Sequence, residues 1–177
     1  MKSLNQLMLG SKAAVIVVDV QNDYCHPEGA LPRAGCDVSG VAKMMPQLYK
    51  LLHSARELNV PIIFIQTLHE RATDSDAWTT RSSGRSAHVC RRGSWGARIL
   101  RDHARADDII VNKHRYSAFV NTRLGFGIKT LKIETLIMTG VSTNVCVEST
   151  ARTASCSIII SCLRRMPAHR TRKRPMT

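Results

Sequence analysis

Cys146 stands in the segment Thr139-Gly140-Val141-Ser142-Thr143-Asn144-Val145-Cys146-Val147-Glu148-Ser149-Thr150, directly after the apolar run Thr135-Leu136-Ile137-Met138. That run reads as a buried strand, and the pattern beyond the Gly-Val-Ser-Thr-Asn turn shifts toward a helix. The thiol is therefore expected at a strand-to-helix corner, close to the positive end of a helix, where thiolate is favoured over thiol. A cysteine in that setting can act as a nucleophile. Two further strand ends supply partners. Ala13–Val18 is a short β-branched run that ends in Asp19, and Asp107–Asn112 is a second that ends in Lys113. In an open parallel sheet the carboxyl ends of the strands converge on one crevice. Asp19, Lys113 and Cys146 are thus expected to meet there.

The elements that must position these groups alternate along the chain. Residues 13–18 read as a first strand. Residues 38–58 carry apolar side chains at helical spacing (Val41, Met44, Met45, Leu48, Leu51, Leu52, Ala55, Leu58), with Ser39 as a candidate cap. Asn59-Val60-Pro61 ends that helix, and Ile62-Ile63-Phe64-Ile65 is a second strand. Residues 69–95 are polar and glycine-containing and read as a long loop walling the crevice. A strand over 108–112, a helix over 121–131, a strand over 134–139, a helix from about 144 and a strand over 157–160 complete the pattern. Such alternation predicts a three-layer α/β/α domain built on a mostly parallel sheet.

Composition narrows the class. A chain of 177 residues with 44% hydrophobic content fits one domain with a packed core. No signal peptide and no transmembrane run is visible. The six cysteines form no CxxC pair, so a reducing, cytoplasmic setting is expected. The formal net charge is +13, yet Arg164, Arg165, Arg170, Arg172, Lys173 and Arg174 in the final segment supply six of those charges. Few aromatics stand among them to stack bases, which disfavours a nucleic-acid partner. Neither a nucleic acid nor a membrane is expected as partner.

Three blocks carry a family resemblance: Val17-Val18-Asp19-Val20-Gln21-Asn22-Asp23-Tyr24, Lys113-His114-Arg115-Tyr116-Ser117-Ala118-Phe119, and the Thr139–Thr150 segment. In this order they resemble the isochorismatase-like cysteine hydrolases, across roughly residues 11 to 152. The second and third blocks most resemble the ureidoacrylate amidohydrolase branch. The resemblance implies a Rossmann-like sheet, an Asp19-Lys113-Cys146 triad, and cleavage of a C–N bond in a small amide, ureido or carbamoyl compound through a thioester. It also implies a cis peptide at Val141-Ser142, with the backbone N–H groups of Ser142 and Cys146 forming an oxyanion hole. Gln21, Asn22, Tyr24, Tyr116, Phe119 and Asn144 are candidate pocket walls, and Trp78 and Trp95 are candidates to close the crevice. An oligomer, dimer or tetramer, is implied as well. Taken singly, Asp19 reads as a solvated strand-end carboxylate, Lys113 as a surface lysine and Cys146 as a small buried hydrophobe. Their company in family blocks is what favours chemistry.

The related nicotinamidases place an Asp-x-His metal-ligand set after the second strand. Here that place reads Gln66-Thr67-Leu68-His69-Glu70, without the paired Asp. His69 alone makes a poor zinc site, so neither a catalytic metal nor an organic cofactor is expected.

The text departs from the family after Arg152. Where the family continues Asp-Gly-Phe, this chain reads Thr153-Ala154-Ser155-Cys156-Ser157-Ile158. Loss of one base from codons for Asp-Gly-Phe-Met-Leu-Asp-Tyr reproduces that stretch, and Arg98–Ala106 and Gly125–Ile128 also read as locally out of frame. On this reading residues 1–162 form the hydrolase domain, without its last strand and helix, and residues 163–177 form a disordered basic tail. Three functional readings follow: an active amidohydrolase, an inactive or unstable remnant with the triad intact, and a basic nucleic-acid-binding protein.

Overall fold

All six residues of the first strand, β1 (Ala13–Val18), are buried, because helices cover both faces of the sheet to which it is central. The computed structural model describes residues 12–80, 87–157 and 160–163. The strands β1, β2 (Ile62–Thr67), β3 (Ile109–Lys113), β4 (Thr135–Gly140) and β5 (Ile160–Leu163) form one five-stranded sheet in the order β3-β2-β1-β4-β5. Every pairing is parallel. Near-continuous Val and Ile runs are the sequence expression of a strand buried on two sides.

Alternate residues of β1 go to opposite layers. Ala13, Val15 and Val17 pack with α3 (Ser39–Glu57), where Val41, Met44, Met45, Leu48, Leu51, Leu52 and Ala55 form the inward stripe. Ala14, Ile16 and Val18 pack on the other side, with Leu124 and Ile128 of α5 (Leu124–Thr130) and Ala151 and Ala154 of α6 (Glu148–Cys156). Each buried branched side chain of these clusters contributes roughly 1.5–3 kcal/mol by leaving water. Short helices α1 (Asn22–Cys25) and α2 (Ala30–Arg33) lie in the connection that follows β1, and α4 (Asp76–Thr80) in the connection that follows β2.

The order of the strands decides where a site can form. The chain runs from β1 outward to β2 and β3, then returns to the other side of β1 for β4 and β5. The connections after β1 and β4 therefore part at the middle of the sheet, the switch point at which ligands bind in open α/β folds. Asp19 follows β1 directly, and Cys146 follows β4 by six residues.

The predicted architecture stands, with corrections at the element ends. β2 runs two residues past 65, to Thr67, and β3 includes Lys113. The helix expected over 121–131 is shorter, because Asn121 takes a positive φ of 54° and the chain turns before Leu124. The loop expected over 69–95 contains α4. The last strand lies at 160–163 instead of 157–160, because α6 persists to Cys156 and Ser157 closes it. Gly125–Ile128 and Arg98–Ala106 still deliver Ile128, Ile99 and Leu100 to buried positions. The basic tail expected from residue 163 onward lies, beyond Leu163, outside the described residues.

Gly140, at the end of β4, is the tightest point of the sheet. Its φ is +113°, and a Cβ there would lie 2.1 Å from the carbonyl oxygen of Val18 on β1. Both the dihedral and the close approach of two backbones require glycine. Gly140→Ala is expected to destabilise the fold by roughly 3 kcal/mol or more, read as a lowered urea midpoint. A midpoint that scarcely moves would show that β1 and β4 can separate at this end.

Candidate active site

The Lys113 ammonium is the hub of the site. Its Nζ lies 2.8 Å from Asp19 Oδ2, donates to Thr67 Oγ1 at 2.7 Å and to the Arg115 carbonyl at 3.1 Å, and stands 3.4 Å from Cys146 Sγ. Thr67 Oγ1 in turn donates to Asp19 Oδ1 at 2.9 Å. Asp19 and Lys113 are each 1% exposed, and Cys146 is half-buried. The sheet explains this choice of residues. β3 and β1 are separated by β2, so their backbones stand about 9–10 Å apart at the usual strand spacing. Only a long side chain from β3 can cross β2, pass Thr67 and meet a short carboxylate at the end of β1. Lys113 is paired in register with Thr67, which puts the hydroxyl under the crossing stem.

Asp19 adopts a positive φ of 53°, a conformation that aspartate tolerates better than most residues. Its N–H donates to Ile65 at 2.9 Å and its carbonyl accepts from Gln21 at 2.8 Å. The Val141-Ser142 peptide is cis. Cys146 follows within a π-helical turn, Thr143–Val147, that leads into α6. Thr150 Oγ1 donates to the Cys146 carbonyl at 2.7 Å and accepts from the Ala118 N–H at 3.0 Å. That bridge ties the cysteine turn to the loop after Lys113.

The charge balance corrects one expectation. Burial, and then the Asp19 carboxylate, push the Cys146 thiol up to about 12, and Lys113 offsets only part of this. The start of α6 is outweighed by burial and by the neighbouring carboxylate, both of which disfavour the thiolate. For Lys113, burial pulls downward, but Asp19 and Cys146 outweigh it and the group ends above the ordinary lysine value. The hub is an ammonium.

The other candidate residues divide. Tyr24 is half-buried beside Thr67, and burial, with Cys90, Asp19 and Cys146 nearby, holds its phenol well above the usual range. It faces the site as a neutral hydroxyl. Phe119 packs with Cys146 against the second core cluster. Asn144 is exposed on the cysteine turn. Tyr116, 40% exposed, meets Trp78 edge-on at 5.4 Å. Gln21 is fully buried, and its carboxamide is used on backbone: Nε2 donates to Thr67 and Ala97, and Oε1 accepts from Thr67. Asn22 donates to the Trp95 carbonyl at 2.8 Å. Both carboxamides are thus engaged by backbone carbonyls, those of Thr67, Ala97 and Trp95. Trp95 packs on His26 at 5.0 Å, and Trp78 packs against Tyr116 and the Arg115 guanidinium.

Sequence reading passed over Thr67 and Asp23. Thr67 could have been found as the carboxyl end of the neighbouring strand. Asp23 accepts from the N–H groups of Ala30 and Cys90, at 3.0 and 2.7 Å, and a Cβ on Gly96 would strike its carboxylate. It fastens the loop around Gly96 to α1. Among the described residues no three His, Cys, Asp or Glu side chains gather as a metal site. His69 is buried, and its pKa is lowered to about 4, chiefly by burial. No helix among those residues is long and apolar enough to cross a membrane.

The isochorismatase domain matches residues 13–155, from the first residue of β1 almost to the end of α6. The chain belongs to the isochorismatase family. It is 35% identical over 159 residues to ureidoacrylate amidohydrolase RutB of Methylobacterium radiotolerans, covering 78% of this chain and 59% of that protein. Against the protein of that name from Caulobacter vibrioides the identity is 33% over 154 residues, covering 78% and 68%. The solved structure of a cysteine hydrolase from Pseudomonas syringae pv. phaseolicola matches with a TM-score of 0.75 at 29% identity, over 85% of this chain and 68% of that one. The chain thus spans 59% and 68% of the length of the two curated relatives.

A thiol held near 12 reacts slowly at neutral pH. Alkylation of Cys146 by iodoacetamide, followed by peptide mass mapping, is expected to accelerate about tenfold per pH unit from pH 7 through 10. A plateau near pH 8.5, the ordinary thiol range, would show that Lys113 prevails over Asp19.

Proposed function

We propose that this chain is a cysteine hydrolase that cleaves a C–N bond in a small amide, ureido or carbamoyl compound, with Asp19, Lys113 and Cys146 as its catalytic triad. The observation that carries this reading is one ammonium lying 2.8 Å from a carboxylate and 3.4 Å from a thiol. The names of the two curated relatives, both ureidoacrylate amidohydrolases, support a ureido substrate.

In the proposed reaction Asp19 takes the Cys146 proton as the sulfur attacks the carbonyl carbon. Lys113 stabilises the thiolate as it forms and keeps the carboxylate in place. Negative charge moves to the carbonyl oxygen, toward the backbone N–H groups of Ser142 and Cys146. The C–N bond then breaks, and the departing amine takes the proton held by Asp19. The carbonyl carbon remains on Sγ as a thioester, or as a thiocarbamate where the substrate is a ureido compound. Water attacks that carbon, gives a proton to Asp19, and the sulfur leaves and is reprotonated. A raised thiol pKa suits this sequence, since the proton moves only when an electrophile is in place.

Tyr24, Tyr116, Phe119 and Asn144 serve as walls of the substrate pocket in this proposal. Gln21 and Asn22 serve it indirectly, by fixing Thr67 and the loop at Trp95. The working protein is proposed to be a homo-oligomer, dimer or tetramer.

Ammonia and amine release from a panel of ureido and carbamoyl compounds tests the reading. Cys146→Ala is expected to fall to background, a loss of roughly 10³-fold or more, and Asp19→Asn to lose roughly 10²–10⁴-fold. Lys113→Arg is expected to fail as well, because a planar fork does not fit a compact ammonium site. Turnover that survives in Cys146→Ala sinks the proposal.

A further inference from the structure

A cavity of about 230 Å³ opens between α1 and the segment 95–101. Neither Asp19, Lys113 nor Cys146 lines it, and no carboxylate does. Two cations do, Arg98 and Arg101. Among the described residues neither pairs with a carboxylate. His26 lines the same cavity. Its Nδ1 accepts the Glu28 N–H at 3.2 Å, so Nε2 is the nitrogen that carries hydrogen in the neutral ring. Asn22 is only 6% exposed. Its Nδ2 donates to the Trp95 carbonyl at 2.8 Å, and its Oδ1 accepts no hydrogen bond among the described residues. The lining therefore offers two guanidinium forks, one ring N–H and one buried acceptor, none of which the proposed mechanism uses.

The two walls are fixed to each other. The N–H of Asn22 donates to the Arg98 carbonyl at 3.0 Å, that of Asp23 to Gly96 at 2.9 Å and that of Leu100 to Val20 at 2.8 Å. Gln21 and Ile99 pair as an antiparallel bridge. Trp95 is 43% exposed and meets the His26 ring edge-on at 5.0 Å. Arg101 reaches the cavity from a left-handed conformation, with φ 52°, which is uncommon for arginine and persists only where the surroundings enforce it. Like charges on one concavity repel, and apolar walls concentrate their field; an anion relieves both. One guanidinium fork suffices for a carboxylate, whereas two forks and a ring N–H match the three free oxygens of a phosphate ester. The volume falls below the roughly 300–1,000 Å³ of sites that enclose drug-sized compounds. It suits a phosphate with one ring. Both arginines lie in Arg98–Ala106, where the text departs from the family, so the relatives' names say nothing of this cavity.

We propose that this cavity is a binding site for a small aromatic phosphate ester. Arg98, Arg101 and His26 hold the phosphate, Trp95 packs against the ring, and Asn22 Oδ1 takes a hydroxyl or N–H of the same compound. The site shares no residue with the Asp19-Lys113-Cys146 group and does not rest on the hydrolase reading.

Calorimetric titration of the full chain at low salt tests this, with phenyl phosphate, inorganic phosphate and phenol as probes. Phenyl phosphate is expected to bind about 3- to 10-fold more tightly than inorganic phosphate, the margin an aromatic contact supplies, and phenol is expected not to bind. Arg98→Met and Arg101→Met should each weaken phenyl phosphate about tenfold, with a melting temperature that shows a folded protein. Arg71→Met, which removes one exposed charge outside the cavity, should change it less than about twofold. Absence of phosphate binding overturns the proposal. So do losses in Arg98→Met and Arg101→Met no larger than in Arg71→Met, which would mark attraction to net charge alone. Equal affinity for phenyl phosphate and inorganic phosphate also overturns it, leaving a bare anion site without a place for a ring.

Discussion

A buried ion pair at the carboxyl edge of a parallel sheet governs the rest of this molecule. Removing a carboxylate and an ammonium from water costs several kcal/mol per ion, and their attraction offsets this only when every remaining donor and acceptor is placed. Here Lys113 meets Asp19 at 2.8 Å, while Thr67 and the Arg115 carbonyl take further hydrogens. Thr67 closes the triangle by donating to the other oxygen of Asp19. Three adjacent strands therefore meet at one ammonium. The register of β2 with β3, the positive φ of Asp19 and the bracing by Gln21 all serve that point. The pair adds little net stability on these terms; what it fixes is where a third group, the Cys146 sulfur, experiences both charges.

The site works through opposition between those charges. A lone ammonium would hold the thiol as a standing thiolate, exposed to oxidation and to any passing electrophile. A lone carboxylate would keep it inert. With both present, burial and Asp19 outweigh Lys113 and push the thiol up, so in the proposed cycle the sulfur becomes a nucleophile only as its proton moves to Asp19. The arrangement favours a reaction in which proton transfer accompanies bond formation. This is also why Asp19 in the proposed cycle can return the proton to a departing amine, a poor leaving group when unprotonated.

Much of the site was legible in the chain because strand ends are easy to read. Val-rich runs stopping at Asp19 and near Lys113, and an apolar run stopping at Gly140, mark where a parallel sheet delivers its side chains. The first four strands and the long helix α3 follow from period and composition alone, whereas the fifth strand lies beyond its expected place because α6 runs on to Cys156. What escaped reading depends on three-dimensional neighbours. Thr67 looks like an ordinary β-branched strand residue until β2 is placed between β1 and β3. Gln21 and Asn22 carry amides suited to a ligand, yet the loop at Ala97 and Trp95 comes back across sequence to claim them. Trp95 and Trp78 lie in one polar stretch of sequence, but the stretch folds so that one ring meets His26 and the other meets Tyr116. The state of Cys146 escaped for a related reason. A helix terminus is local and visible in sequence, whereas burial beside a carboxylate from a strand 127 positions earlier is not.

The departure of the text after Arg152 bears on these parts unequally. The atoms that build the site come from the end of β1, the ends of β2 and β3, and the turn after β4. The last of its supports are Thr150, which ties the cysteine turn to Ala118, and Thr153, which accepts from Ser117 at 2.9 Å. Thr153 is already part of the divergent text, yet its hydroxyl is used. Beyond it, Ala154 is fully buried against the second core layer, and β5 pairs with β4 from Thr135 to Met138, well short of Gly140. The C-terminal segment therefore acts on the site through the stability of the sheet: β5 covers one edge of β4, which would otherwise present unpaired backbone groups. Geometry at Cys146 and persistence of the fold are separable properties of this chain: the contacts of Lys113 with Asp19 and Cys146 are made from the first four strands, and the last strand bears on the stability of the sheet.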